Sequence, residues 1–171
     1  MRVSIMLSIV FMQSFSFCQS TWTDKSRVLP DKLRELPVGL FIYHDTNPNY
    51  PEINTDKEVR NTKYVWKHST TVFAKMESLE VIEAGSYIWY DESGWKENMK
   101  LSPDDFKEKF QCTKAILQKG EEYTFVKNYR YGNHLYGGDA LWYVLAEDEN
   151  GKIYKGYSII ETESTLINKS H

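Results

Sequence analysis

Apolar and polar residues along this chain fall mostly into short runs of strand length, and helical spacing is brief. Val38 to Tyr43 is an apolar run rich in strand formers. It ends at residues 44–51, where two prolines, two asparagines and an aspartate predict a loop. Lys63 to Ala74, carrying Tyr64, Val65, Trp66, Val72 and Phe73, suits one strand or a pair. Leu79 to Tyr90 predicts a long strand whose apolar residues change parity. Leu79, Val81, Tyr87 and Trp89 fall on one side, and Ile82, Ala84, Ile88 and Tyr90 on the other. Gly85 at its centre predicts a bulge or bend that re-aims the side chains after it. Asp91 to Gly94 then reads as a turn, and Trp95 to Leu101 as a short strand.

One helix has a clear start at Ser102-Pro103-Asp104-Asp105. Ser caps, Pro occupies the first helical position, and Asp105 sits where its carboxylate can return a bond to the cap. Phe106 and Phe110 share a face, four apart, so the helix, near 103–111, is expected to pack both rings over one end of a sheet. Further on, Glu122 to Tyr131 alternates as one strand, and Ala140 to Ala146 is apolar on both parities, which predicts a central strand buried on both faces. Asn150-Gly151 is a strong hairpin signal of type I′, leading into a partner strand from Lys152 to Glu161.

Seven or eight short strands, turn signals about ten residues apart, one short helix and no alternation of strand and helix predict a mostly β fold. An antiparallel β-sandwich is expected, immunoglobulin-like first and jelly roll second, although the Cys and Trp spacing of true immunoglobulin domains is missing. The domain is placed at 38–162, after a lead-in at 19–37 with about one helical turn between Pro30 and Pro37, and before a polar tail at 163–171.

Met1 to Cys18 has a different plan: Arg2, then an apolar stretch to Phe17, then a small residue. This is the layout of a secretory signal peptide, with Gln19 as the mature N-terminus. The stretch falls short of the roughly 20 apolar residues of a membrane span and is interrupted by Gln13. Lipoprotein anchoring at Cys18 is the alternative, disfavoured by the bulky Phe17 directly before it. The Cys18-Gln19 boundary resembles the leaders of exported proteins of the Bacteroidota. That resemblance is confined to the leader and implies a Gram-negative periplasm or the cell surface, and nothing about activity.

Export changes the cysteine arithmetic. With Cys18 removed, Cys112 is the only thiol, so no intrachain disulfide is expected and stability must come from the core. The remaining chain of about 150 residues is long enough for that. Cys112 beside Phe110 reads as a small buried hydrophobe. The formal charge of −3, from 21 Lys and Arg against 24 Asp and Glu, shows no basic excess and argues against nucleic acid as a partner.

Catalytic motifs are missing. His44, His68, His134 and His171 have no ligand spacing among themselves. Asp148-Glu149-Asn150-Gly151 lacks the glutamate a calcium loop needs at its twelfth position, where Ile159 stands. No nucleophile elbow or phosphate-cradling glycine loop occurs. No cofactor is therefore expected. The exception to this plainness is Asn128 to Asp139, with three Tyr, three Gly, one Arg and one His in a connection longer than a hairpin requires. Aromatic rings with a flat face and polar edge suit sugars or a partner's side chains, and an arginine suits a carboxylate. Tyr129, Arg130, Tyr131, His134 and Tyr136, with Trp95, form the expected ligand-binding set, and Trp66 is a further aromatic residue expected to add to the same surface. The competing reading is that these tyrosines are packing alone. The chain thus reads as an exported, non-enzymatic module that binds a carbohydrate or a cell-envelope protein. The alternatives are a structural or assembly domain, and a metal-dependent jelly-roll enzyme in which His44, His68 and His134 converge.

Overall fold

The computed structural model describes residues 28–89 and 94–167; the expected leader, the turn at 91–93 and the last four residues lie outside them. In chain order the first half comprises α1 (Asp31–Arg34), β1 (Leu40–Asp45), β2 (Pro51–Ile53), β3 (Tyr64–Trp66), β4 (Ser69–Ala74), β5 (Leu79–Trp89) and β6 (Lys96–Leu101). The second half comprises α2 (Pro103–Phe110), a 3-10 turn at Thr113–Ala115, β7 (Ile116–Leu117), β8 (Tyr123–Phe125), β9 (Arg130–Gly132), β10 (Gly138–Glu147) and β11 (Ile153–Thr162). They form three antiparallel sheets: β1-β4-β8, β2-β3-β9, and a five-stranded sheet ordered β11-β10-β5-β6 with β7 also on β5.

The expected antiparallel sandwich is present. Leu40, Val72 and Ala74 of the β1-β4-β8 sheet pack on Val81, Ala84, Ala140, Trp142 and Val144 of the five-stranded sheet. Phe106 and Phe110 of α2 close the end of this core, stacked at 4.3 Å. The helix begins as its sequence dictates: Ser102 Oγ accepts from the Asp105 amide at 3.2 Å, and the Ser102 amide donates to the Asp105 carboxylate at 3.0 Å. Cys112 is fully buried, and burial pushes its thiol up to about 11, so it is an inert part of the core.

Three local features differ from the simplest reading of the pattern. The parity change in β5 comes from a bulge at Ile82, because Leu145 pairs with Glu83 while Ala146 pairs with Val81. Gly85 serves another purpose: a Cβ there would lie 2.3 Å from the Met99 carbonyl oxygen and 2.8 Å from the Tyr143 hydroxyl. The β10–β11 hairpin closes with a hydrogen bond from the Gly151 amide to the Asp148 carbonyl at 3.0 Å, and Gly151 alone in that turn has positive φ. It is therefore a three-residue loop with a left-handed glycine, in place of the two-residue type I′ turn. Finally, the run 122–131 is two strands. β8 belongs to one sheet and β9 to another.

That division is shared by its neighbours. β1 passes into β2 across 46–50, β3 passes into β4 across Lys67-His68, and β8 passes into β9 across 126–129. The strand order is the same on both sides, β1-β4-β8 and β2-β3-β9. The small sheet is thus the prolongation of the larger one beyond a break that all three strands make together. Asn49, His68, Thr70 and Asn128, all buried, cluster around this break.

β10 is buried on both faces, as its two-parity apolar run predicts. Its second face, with Leu141, Tyr143 and Leu145, is covered by residues ahead of Val38: Leu33 is fully buried there, flanked by Leu29 and Leu36. Lys155 of β11, itself buried, holds this segment by donating to the Leu33 and Arg34 carbonyls at 2.6 and 3.1 Å. On the same face Lys32 bonds Glu83 and donates to the Tyr143 hydroxyl at 2.9 Å. That hydroxyl donates to Glu83 at 2.6 Å, and Lys100 pairs with the other carboxylate oxygen at 3.0 Å.

Burial alone would raise the Glu83 carboxyl, but hydrogen bonds from Lys32, Tyr143 and Lys100 outweigh it and hold the group down at about 2, from an ordinary 4.5. A carboxyl lowered in this way stabilises the fold above its unfolded pKa and loses that contribution as pH falls through the folded value. The contribution is on the order of 2 kcal/mol. Denaturant unfolding of the wild type and Glu83→Gln at pH 7 should differ by about that amount. Near pH 2 the difference should close.

Candidate functional site

The break in the three strands leaves a hollow on the inner side of the sheet. A cavity of about 230 Å³ lies there, lined from β9 with its flanking loops and from β5, β6 and β10. Tyr129, Arg130, Tyr131 and Tyr136 line it. Four of the six expected ligand-binding residues therefore come together. None of the three tyrosines is an open platform: each is half-buried, so the rings serve as walls.

Trp95 and His134 do not join them. Trp95 packs into the apolar layer around Leu33 and Tyr143, on the opposite face of the five-stranded sheet, because the odd positions at the start of β6 point that way. His134 is exposed at the tip of the loop and lines none of the cavity. Trp66 contributes from behind. It is fully buried, its Nε1 donates to the Glu163 carbonyl at 2.8 Å, and its ring lies 4.3 Å from that of Tyr136. Gly132 gives Tyr136 room to reach this position, since a Cβ there would come within 2.9 Å of the tyrosine ring.

Arg130 is held in place on two sides. Its guanidinium lies over the Tyr136 ring at 5.3 Å, and Nη1 donates to Thr162 Oγ1 at 2.5 Å. The cavity's polar floor comes from residues outside the aromatic loop. Asn128 Nδ2 donates to Thr70 Oγ1 at 2.8 Å, and Asn98 Nδ2 donates to Ser86 Oγ at 3.1 Å. Ser86 is a polar residue on the face of β5 whose other members, Leu79, Val81, Ala84 and Ile88, are apolar, and that mismatch was the available sequence signal for it.

His68 completes the floor. It is 3% exposed, and its Nδ1 accepts from Asn49 Nδ2 at 3.1 Å. Its Nε2 is buried and has no hydrogen-bond partner among the described residues. His68 and Tyr129 also line a second hollow of about 260 Å³, where Lys67 and Asp45 enter. Beyond it Lys67, paired with Glu52 at 2.9 Å, and Thr46 line a third hollow of about 370 Å³. The first cavity is the one where buried, directed polar groups meet aromatic walls, and this combination marks a ligand site better than volume does.

Two of the three histidines weighed as metal ligands converge. The rings of His44 and His68 are 6.0 Å apart, and His44 Nδ1 is 3.0 Å from Thr70 Oγ1. His134 is elsewhere. Among the described residues, no group of three His, Cys, Asp or Glu side chains is placed to hold a metal ion.

Both imidazoles are neutral in the fold. Burial lowers His44 to about 4 from its ordinary 6.5, with the Ser158 and Ser69 carbonyls opposing the fall. Burial also lowers His68 to about 3, and repulsion of a second proton by His44 and by the Arg130 charge pushes in the same direction, with the Trp66 backbone opposing the fall. A histidine depressed in the fold gives its full stabilisation above its unfolded pKa and loses it as pH falls through the folded value. Between those values the unfolded chain binds more protons than the native one. Unfolding at pH 5 should therefore take up about two protons, measured from the dependence of calorimetric enthalpy on buffer ionisation. His68→Gln should reduce the uptake to about one.

No protein-family model matches this chain, and no curated protein matches it, so the site rests on its own geometry.

Proposed function

We propose that this protein is an exported, non-catalytic module that binds carbohydrate in the cavity lined by Tyr129, Tyr131 and Tyr136, acting in the periplasm or at the cell surface after removal of residues 1–18. The observation that carries this reading is the union of aromatic walls with a buried polar floor whose His68 Nε2 lacks a partner. A buried polar group without a partner costs about 1–3 kcal/mol, and a ligand hydroxyl or an ordered water relieves it. Sugars supply hydroxyls together with C–H faces that lie against aromatic rings. The volume is below the roughly 300–1,000 Å³ of sites for drug-sized ligands, which suits a single sugar unit.

Neutral imidazoles without an acid or base partner, and a cavity wall with no carboxylate, give no support to hydrolysis at this site. The leader motivates the compartment: its layout is that of an export signal.

The test is a titration of residues 19–171 with a panel of mono- and oligosaccharides, followed by amide chemical shifts and calorimetry. Binding should shift resonances at Asn128, Arg130 and Ser86. Tyr131→Ala should weaken it about tenfold, or about 1.4 kcal/mol, with the melting temperature little changed. Turnover of a glycoside, or a panel in which no sugar perturbs these resonances, would count against the proposal.

A further inference from the structure

The cavity at the break has two neighbours that adjoin it in series. The hollow of about 260 Å³ shares His68 and Tyr129 with it, and the hollow of about 370 Å³ shares Thr46 and Lys67 with the second. The three therefore follow one another across the strand paths, from β9 past the Lys67-His68 crossing to the segment that joins β1 to β2. Three paths at the ordinary spacing of a sheet span about 10 Å from first to last, more than one sugar ring covers. A buried pair underlies the whole series: Asn49 lines the third hollow and bonds His68 of the first two at 3.1 Å. Exposed apolar side chains also gather along it, Val126 on the second hollow and Tyr50 and Ile167 on the third, a grouping that marks a binding face more than single exposed residues do. Formal charges along the three are balanced, with Asp45 and Glu52 against Lys67 and Arg130.

On the carbohydrate-binding reading above, we infer that the ligand is a neutral linear oligosaccharide of about three units, with one unit in the first cavity and the next two in the second and third hollows. Each hollow offers a tyrosine to a C–H face: Tyr131 in the first, Tyr129 shared by the first and second, and Tyr50 in the third. Balanced charge gives the series no preference for an acidic or a basic sugar. Joining the units makes each later contact intramolecular, so a chain gains affinity that separate units lack. The first cavity sets the size of one subsite, and the two hollows beside it set the length of the chain.

The experiment titrates residues 19–171 with the cello-, xylo-, manno- and chito-oligosaccharide series, from the single sugar to about five units, by calorimetry and amide chemical shifts. In a series that binds, affinity should rise on the order of tenfold from one unit to three, beyond the roughly threefold that the choice of register alone supplies, and then level off. The three-unit chain should shift the amides of Thr46, Tyr50 and Lys67 as well as those of Ser86 and Asn128, and the single sugar only the last two. Tyr50→Ala should cut the ratio of three-unit to one-unit affinity about fivefold. A rise no greater than the register effect, or one that continues undiminished to the longest chain, would overturn this inference and leave the carbohydrate reading standing. So would an unchanged ratio in a folded Tyr50→Ala. If that variant fails to fold, the wild-type shifts decide: a three-unit chain that leaves Thr46, Tyr50 and Lys67 unmoved overturns the inference. Binding of no series to the wild type would overturn both readings.

Discussion

Three neighbouring strands break at the same level, and most of what distinguishes this molecule follows from that constraint. Where β1, β4 and β8 give way to β2, β3 and β9, the inward side chains lose their sheet partners and the backbone loses part of its ladder. Polar groups buried there must find each other, because each unmet one costs about 1–3 kcal/mol. Asn49 meets His68, and Thr70 serves both His44 and Asn128. The chain Asn128–Thr70–His44 therefore ties all three strand paths together at the row where the sheet bends. Two groups in this set are left without an answer, the Nε2 atoms of His44 and His68, and of these residues His68 is the one that lines the cavity.

Such a break is tolerable because the opposite layer is continuous. β10 pairs with β5 and β11 over nearly its whole length, and both of its faces are covered. The cover on the second face is the segment around Leu33, which is short and has little helical propensity to stand on its own. It is held by contacts that reach back into the sheet: Lys155 on its last carbonyls, and Lys32 within the Glu83–Tyr143 network. The ionic cluster on this face is thus an anchor for the lead-in, and its tyrosine is fully buried.

The cavity inherits its properties from both layers. Its tyrosine walls come from β9 and the loops on either side of it, and its floor from β5, β6 and the break itself. Rigid backing by Trp66 and by the five-stranded sheet fixes the rings and the Arg130 guanidinium before any ligand arrives. Binding to such a site loses little to ordering. The neutrality of His44 and His68 has the same origin, since the burial that shapes the hollow is also what keeps their protons off.

Local pattern was enough for the elements whose reasons are local. The capped helix after Ser102, the doubly buried β10, the small buried Cys112 and the antiparallel β class all depend on residue spacing, and spacing is what a sequence displays. Tyr129, Arg130, Tyr131 and Tyr136 were legible for the same reason, as a concentration of rings and glycines in one connection. Trp95 and His134 were not separable from them, because whether a ring joins a site depends on which face of a sheet it reaches and on how far a loop tip stands off. The split of 122–131 into β8 and β9, the bulge at Ile82 rather than Gly85, and the meeting of His68, Ser86 and Asn98 were settled by pairing between strands distant in sequence. Residue spacing along the chain set which segments become strands and which loop holds the aromatic chemistry; that three strands break together was set by their pairing in the fold, because that register exists between strands and in none of them alone.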